Sequence, residues 1–167
     1  MHDAYYQIHE LSLKCQVVVF ASACDCDAVS AYKILNNLFR LDSIPFSVHP
    51  VSGPEDLKKQ AEENLTDDGI DRAVILLNCG GSLDLTSQYF TGLTPNSRIL
   101  VVDSHRPLAL ENLVAGNEQV LLLLGDDTEQ FPDVAGLFEL GDISDEEEED
   151  DGDSGDEEEG EGSRQRR

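Results

Sequence analysis

Two aspartates separated by a single residue stand out in the stretch CDCDAVSAYKIL, which begins at Cys24. They are Asp25 and Asp27, and they follow a short apolar run, CQVVVFASA. Because alternate side chains of an extended chain point to the same side, the two carboxylates can face one cation together. Hard divalent cations such as Mn²⁺ and Mg²⁺ prefer oxygen ligands of this kind. The stretch therefore indicates a metal site or the remains of one.

Polar residues also follow two later apolar runs. Asn78 and Cys79 come at the end of RAVILLNCGG, and Asp103 and His105 come at the end of SRILVVDSH. In open parallel sheets, sites gather beyond the carboxyl ends of the strands, so these residues are expected to converge. Mn²⁺ also accepts imidazole, and two-metal phosphoryl chemistry needs several such ligands. The available ligands are Asp25, Asp27, Asp103 and His105.

The elements that must position these residues follow from apolar patterning. Four short apolar runs and a fifth of undetermined direction predict strands, namely CQVVVFASA, IPFSVHPV ended by Pro50, RAVILLNCGG, SRILVVDSH and EQVLLLLGDD. Apolar residues at spacings of three and four predict a helix that starts around Asp27 or Ala28. The stretch SGPEDLKKQAEENL predicts a second helix, with Ser52 near its cap and Pro54 in its first turn. This alternation predicts an α/β fold with a mostly parallel sheet flanked by helices.

The charge distribution divides the 167-residue chain into two parts. Residues 142–161 hold 14 acidic side chains and no basic one, so we predict a domain over 1–141 and a disordered acidic tail over 142–167 that ends in the short basic cluster RQRR. The first part still has 21 acidic residues against eight Lys and Arg. That balance disfavours a free-standing nucleic-acid binder and favours basic protein surfaces as partners.

Cysteine placement and hydropathy bear on the compartment. The four cysteines, at positions 15, 24, 26 and 79, lie in or beside apolar runs, and the first residues lack the apolar core of a signal peptide. No apolar stretch approaches the roughly 20 residues that cross a bilayer. We expect a soluble protein of a reducing compartment, with no membrane partner.

Two motifs resemble those of the DHH phosphoesterase superfamily, whose RecJ-like nucleases carry D-x-D-x-D-G and D-H-H. They are DCDA after the first strand and VVDSHRP after the fourth. Four positions differ: Ala23 stands for an Asp, Ala28 for the Gly, Asn78 for an acid and Ser104 for the first His. Amides and hydroxyls are poorer Mn²⁺ ligands than the groups they replace. The resemblance implies an inactive site with no cofactor beyond weak Mn or Mg binding, whose residual positions are Asp25, Asp27, Asn78, Asp103 and His105.

The order FASACDCDAVSAYKIL, HPVSG, ILLNCGG, VVDSHRP and an acidic run is similar to the cell division control protein 45 family. The resemblance implies a nuclear, non-catalytic DNA replication initiation factor with a DHH-like α/β domain. Its implied role is a scaffold of the replicative helicase that joins the minichromosome-maintenance hexamer and the GINS complex on replication origin chromatin. The family's chains continue past the acidic segment, so this chain is expected to correspond to their amino-terminal part. Contact with single-stranded DNA is left open.

Several alternatives stand beside these predictions. Asp25 and Asp27 can cap the helix that follows them, keep a single-metal site, or do both. Cys24 and Cys26 lack the further ligands that zinc needs, and His105 is favoured as a hydrogen-bonded structural residue. The acidic segment is either a solvated linker or a docking region, and phosphorylation is expected at Ser144 and Ser154.

Two other functions are compatible with the sequence. One is a Mn-dependent DHH phosphodiesterase, a single-strand nuclease of RecJ type that would use the four ligands named above. The other is an acidic histone-binding scaffold that would depend on the acidic segment alone. A short ligand set argues against the nuclease, because two-metal chemistry needs more ligands than remain.

Overall fold

The structure is a computed structural model that describes residues 2–65, 68–113 and 117–123, with side chains described from Tyr5 onward. It contains three α-helices, α1 to α3, at His2–Ser12, Cys26–Leu41 and Pro54–Asn64. Five strands, β1 to β5, span Gln16–Ser22, Phe46–Val51, Arg72–Leu77, Arg98–Val102 and Val120–Leu122. A π-helical turn occupies Leu85–Tyr89, and a 3₁₀ turn occupies Leu110–Asn112.

The five strands form one sheet in the order β2-β1-β3-β4-β5, and every neighbouring pair is parallel. The predicted α/β class with helices flanking a parallel sheet is confirmed. β5 runs parallel to β4, which gives the fifth strand the direction that its sequence left undetermined. Right-handed crossovers are the rule for such parallel connections, and α2 and α3 supply two of the linking segments.

Apolar layers cover both faces of the sheet, and this explains why the strands are almost continuously apolar. One face packs Phe20 and Leu76 against Leu57 of α3. The other face packs Val19 and Ile75 among residues of α1 and α2 such as Ile8, Ala28 and Phe39. All six residues of β3 are buried, because it is the central strand and is covered on both sides.

Two local predictions needed correction or refinement. Pro50 does not end the second strand, because β2 continues through it to Val51. β2 is an edge strand, and an edge tolerates proline where the missing N–H would have faced away from the sheet. Pro54 lies in the first turn of α3 as predicted, and the helix begins there. Its N-cap is Gly53, which has no side-chain cap, and the N–H of Ser52 donates to Asp56 Oδ2 at 2.8 Å.

The helix α1 was not predicted, although it contributes Tyr5 and Ile8 to the core. Within the described residues, no helix combines the length and apolar character needed to cross a bilayer. The predicted boundary at residue 141, the acidic segment, and Ser144 and Ser154 lie outside the described residues. They therefore stay predictions.

Candidate functional site

The polar residues singled out in the sequence lie at the carboxyl ends of the three central strands. Ala21 of β1 pairs with Leu77 of β3, and Leu77 pairs with Val102 of β4, so the three strands end nearly level. Asn78 and Asp103 follow β3 and β4 directly. Asp25 follows β1 after a short turn and caps α2. The parallel register thus brings residues from distant parts of the chain to one edge.

Asn78 connects these three strand ends through hydrogen bonds. Its Nδ2 donates to Asp25 Oδ2 at 2.9 Å, and its Oδ1 accepts from the N–H of Ser104 at 3.2 Å. Its backbone N–H donates to the carbonyl of Val102 at 2.8 Å. Asn78 has φ of +47°, a left-handed conformation that asparagine tolerates better than most residues. A single amide side chain therefore links the loops that follow β1 and β4.

Both oxygens of Asp25 accept hydrogen bonds. Oδ1 accepts from the N–H of Asp27 at 2.8 Å, as expected of an N-cap residue, and Oδ2 accepts from Asn78. The Asn78 bond, followed by the backbone donor at Asp27, lowers the pKa of the Asp25 carboxyl below its usual value. Asp25 is therefore ionised at neutral pH and is held by neutral donors of the protein.

Asp103 is buried and is also held on both oxygens. Oδ2 accepts from the N–H of Gly81 at 2.9 Å. Oδ1 lies 2.9 Å from the N–H of His105 and 2.7 Å from its Nδ1. A Cβ on Gly81 would lie only 3.0 Å from Asp103 Oδ2, so the loop after β3 approaches this carboxylate as closely as a glycine allows. Asp103 thus fixes the loop after β3 and the turn after β4.

His105 lies between the two carboxylates. Its side chain is 61% exposed, its Nδ1 contacts Asp103, and its Nε2 lies 3.9 Å from Asp25 Oδ2. A ring in this position has one nitrogen committed to Asp103 and the other open toward solvent and Asp25. The geometry fits a hydrogen-bonded structural residue, and it leaves Nε2 as the one imidazole atom available to a ligand.

The geometry provides fewer metal ligands than the sequence suggested. Among the described residues, the group of potential ligand atoms that lie within 4.8 Å of one another comes from Asp25, Cys26 and Asp27. Asp103 and His105 do not belong to that group. Two-metal chemistry needs ligands for ions about 3.5–4 Å apart, and three consecutive residues do not supply them. These residues do not fit a two-metal centre.

A cavity of about 240 Å³ adjoins the site, between the start of α3 and the loop after β3. Asn78, Cys79, Asp103 and His105 contribute to its wall, and within the described residues no lysine or arginine lines it. Burial raises the pKa of Cys79 to about 12, so its thiol stays protonated at neutral pH. The described lining of the cavity therefore offers neither a thiolate nucleophile nor a lysine or arginine of the kind that binds phosphate.

Sequence reasoning missed two residues that support this site. The N–H of Gly81 donates to Asp103, and the Gly pair in NCGG was the only sequence feature that could have identified Gly81. Asn112 is buried, donates from Nδ2 to the carbonyl of Leu83 at 2.7 Å and accepts from the N–H of Leu85 at 3.3 Å. No spacing pattern identifies Asn112, because it acts on a loop almost thirty residues earlier in the chain.

Comparison with known proteins gives consistent matches. The CDC45 family model matches residues 17–167. The cell division control protein 45 homolog of Schizosaccharomyces pombe is 38% identical over 151 residues, which cover 87% of this chain and 23% of that protein. The Dictyostelium discoideum homolog is 35% identical over 117 residues, covering 70% and 18%. The human homolog is 30% identical over 138 residues, covering 81% and 23%.

The crystal structure of CDC45 from Entamoeba histolytica has the same fold over most of the described part. It matches with a TM-score of 0.61 and 26% sequence identity, covering 76% of this chain and 24% of the other. This chain therefore spans about a quarter or less of the relatives and the structure it matches. The family match extends over most of its residues, and the chain belongs to the CDC45 family.

Proposed function

We propose that this chain is a non-catalytic binding module of a nuclear DNA replication initiation factor. In this role it contributes to a scaffold that joins the minichromosome-maintenance hexamer and the GINS complex in the replicative helicase on replication origin chromatin. Membership of the CDC45 family supports the proposal, as do relatives named for control of cell division. Because the chain spans 18–23% of those relatives, the role proposed is that of one module.

The observation that carries the non-catalytic part is the position of the Asn78 amide. Its Nδ2 donates to Asp25 Oδ2, an oxygen that a bound cation would otherwise take as a ligand. Asp103 is likewise occupied by Gly81 and His105. Each of these hydrogen bonds takes a lone pair of a carboxylate oxygen, and Asn78 is an amide where a metal centre would use a further anionic ligand. We infer that the site is a degenerate one and that its hydrogen bonds have a structural role.

A metal-dependent phosphodiesterase is the competing proposal, and one observation favours it. Asp25, Cys26 and Asp27 place three potential ligand atoms within 4.8 Å of one another, and His105 Nε2 is 3.9 Å from Asp25. This set would bind one ion at most. Without a second ion, the transition-state charge on a phosphoryl group would lack the stabilisation that two-metal enzymes provide.

Binding to helicase components tests the proposed role directly. The chain would be immobilised, and the purified minichromosome-maintenance hexamer, the purified GINS complex and a mixture of both would be passed over it. We expect saturable binding to at least one component and tighter binding to the mixture, because a scaffold that contacts both gains effective concentration. The matched control is the chain unfolded by heat and cooled under conditions that leave it unfolded. Absence of saturable binding in all three experiments would contradict the proposal.

Within this proposed function, the acidic segment would have a role of its own in binding. We propose that residues 142–161 dock on basic protein surfaces, because they carry 14 acidic side chains without a basic one. Added salt should then weaken binding of the intact chain more than binding of a chain that lacks these residues, since salt screens exposed charges. Equal salt dependence of the two chains would identify the segment as a linker.

A further inference from the structure

The face of the sheet that carries α1 and α2 is incompletely covered over β4 and β5. Right-handed crossovers that step in opposite directions along a sheet lie on opposite faces. α2 joins β1 to β2 on one face, and the connections from β2 to β3, β4 and β5 step in the other direction. Leu57, Leu85 and Phe90 of those connections accordingly share the core cluster on the other face. No described connection therefore crosses β4 and β5 on the α2 face, which is left to α1 and to the chain that follows β5.

A groove of about 540 Å³ lies in this area, between α1 and the strands β4 and β5. Leu11 of α1, Leu100 of β4 and Leu121 of β5 contribute to its apolar wall. Leu121 is 37% exposed, although it lies within a strand of the sheet. The charged residues of the lining are two acids and two bases, namely Glu10, Glu118, Lys14 and Arg98. The groove thus combines an apolar wall with balanced charge.

The described chain ends beside this groove. Leu123, the last described residue, is partly buried against the same core cluster as Leu100. Its N–H donates to the carbonyl of Val101 at 2.8 Å, so the pairing of β5 with β4 extends up to this residue. Leu121 and Leu123 lie on the same face, because side chains alternate along a strand. The residues that follow are therefore tethered next to the open area.

The sequence after β5 contains an amphipathic pattern. Within FPDVAGLFELG, Pro132 is of the type favoured at the first position of a helix, and Gly141 is of the type favoured just past the end of one. These two signals predict a helix over 132–140. Three large apolar residues at spacings of three and four would share one side of it, namely Val134, Leu137 and Phe138.

We propose that residues 132–140 form a helix that packs in this groove and completes the cover of β4 and β5. Nine helical residues are about 13.5 Å long, enough to cover the three residues of β5, which span about 10 Å. The eight residues 124–131 can reach across about 26 Å, so they allow the helix to run back along the strands. The acidic segment 142–161 would then leave the domain at the amino ends of β4 and β5, opposite the edge that holds Asn78.

Composition and charge argue against other occupants. Residues 142–161 have Ile143 as their only large apolar residue, so they cannot fill an apolar groove. A second copy of the chain would bring a net charge of −24 against another of −24. A separate protein would compete with a tethered segment whose effective concentration is in the millimolar range. Residues 132–140 combine apolar residues at helical spacing with attachment beside the groove.

Four substitutions in the full chain test this docking, and none of them depends on the proposed function. Phe138→Asp places charge on the apolar side of the predicted helix, and Leu121→Asp places charge in the groove. We expect each to lower the melting temperature by about 4–10 °C, because an apolar contact is lost. Gly136→Asp is the control for the first, since position 136 falls on the opposite side of the helix. Leu13→Asp is the control for the second, because Leu13 is 74% exposed and lies outside the groove. Both controls should shift the melting temperature by less than about 2 °C.

The combined variant Leu121→Asp/Phe138→Asp tests whether the two residues share one contact. Once either charge has released the helix, the other has little left to disrupt, so the combined loss should be clearly smaller than the sum of the two single losses. Additive losses would place the segment elsewhere and overturn the proposal. A Phe138→Asp variant that melts at the same temperature as Gly136→Asp would overturn it as well.

Nuclear Overhauser contacts identify the occupant directly. In a mixture of isotope-labelled and unlabelled chains, we expect contacts between the ring protons of Phe138 and the methyl protons of Leu121 within one chain. The same contacts seen only between a labelled and an unlabelled chain would identify a second copy as the occupant. Contacts of Leu121 with Ile143 in place of Phe138 would identify the acidic segment. Either of the last two results would overturn the proposal.

Discussion

At the scale of single residues, the site depends on the amide of Asn78. An acid at this position would repel Asp25 unless a cation lay between them, whereas the amide donates a hydrogen bond to one neighbour and accepts one from another. The same strand-end position is thus compatible with metal binding or with direct hydrogen bonding, depending on one side chain. The sequence identified Asn78 as a substituted position, but only the structure gives its two partners.

An acidic side chain at position 78 should favour metal binding over direct hydrogen bonding. In Asn78→Asp two carboxylates would stand where Nδ2 and Oδ2 are now 2.9 Å apart, so we expect a lower melting temperature than that of the wild-type chain in metal-free buffer. About 1 mM Mn²⁺ should raise the melting temperature of Asn78→Asp and leave the wild-type value unchanged, because only a ligand that binds the folded state stabilises it. Equal responses of the two proteins to Mn²⁺ would contradict this account.

Removing the Asn78 amide should moderately destabilise the folded chain. Asn78→Ala loses both side-chain hydrogen bonds and leaves the N–H of Ser104 without its partner, so we expect a decrease of about 1–3 kcal/mol in the free energy of unfolding. Urea denaturation at neutral pH measures it. Asn96→Ala is a suitable control, because the Asn96 side chain makes a single long hydrogen bond of 3.4 Å to Asp71 at the surface. A loss at position 78 no larger than that at 96 would show that the amide is unimportant.

The lowered pKa of Asp25 makes the stabilisation depend on pH. The folded chain holds this carboxyl ionised more strongly than the unfolded chain does, so the associated stability is present above the ordinary Asp pKa of about 3.9 and is lost as pH falls through the lower folded value. The difference in unfolding free energy between wild type and Asn78→Ala should therefore be constant above about pH 5 and shrink in acid. Urea titrations at several pH values test this, and a difference that persists unchanged in acid would refute it.

At the scale of elements, the strands that could be predicted most directly from the sequence are those buried on both faces. β1, β3 and β4 were predictable because both of their faces are covered and their residues are almost all apolar. Pro50 gave a false stop in β2, because the rule against proline in strands holds for central strands and relaxes at an edge. The π-helical turn at Leu85–Tyr89 has no period that could distinguish it from a loop.

The loop after β3 yields a prediction at this scale. In Gly81→Ala the new Cβ would lie 3.0–3.2 Å from Asp103 side-chain atoms, so either the loop or the carboxylate must move. We expect a destabilisation of about 1–3 kcal/mol. Gly92→Ala is the matched control, because its Cβ would meet nothing closer than 3.5 Å. Melting temperatures of the two variants would decide the point, and equal values would mean that Asp103 is not held as tightly as the contacts indicate.

At the scale of the whole molecule, the alternation of apolar runs and helical segments predicted the fold class, and composition set the net charge. The convergence of Asp25, Asn78 and Asp103 could be expected from the rule for parallel strand ends, because that rule concerns topology alone. Their hydrogen-bond partners could not, since they depend on loop paths such as the one through Gly81.

Removal of the acidic segment tests how the chain is divided. We expect a chain that lacks residues 142–161 to keep the melting temperature of the intact chain or to exceed it slightly. The composition of those residues, with one large apolar side chain, predicts little burial, and their loss should reduce self-repulsion. Thermal unfolding followed by circular dichroism at low and high salt measures the effect. A marked decrease would show that the predicted boundary at residue 141 cuts through a cooperative unit.

The central claim is that this strand-end site performs no phosphoryl chemistry, and hydrolysis of 5′-labelled single-stranded DNA in the presence of Mn²⁺ tests it most directly. The wild-type chain and Asp27→Asn would be compared beside an active RecJ-type nuclease. We predict no product from either folded chain, because the ligands needed for two ions are not assembled. Product from the wild-type chain that disappears in Asp27→Asn would contradict the account and establish a working metal site.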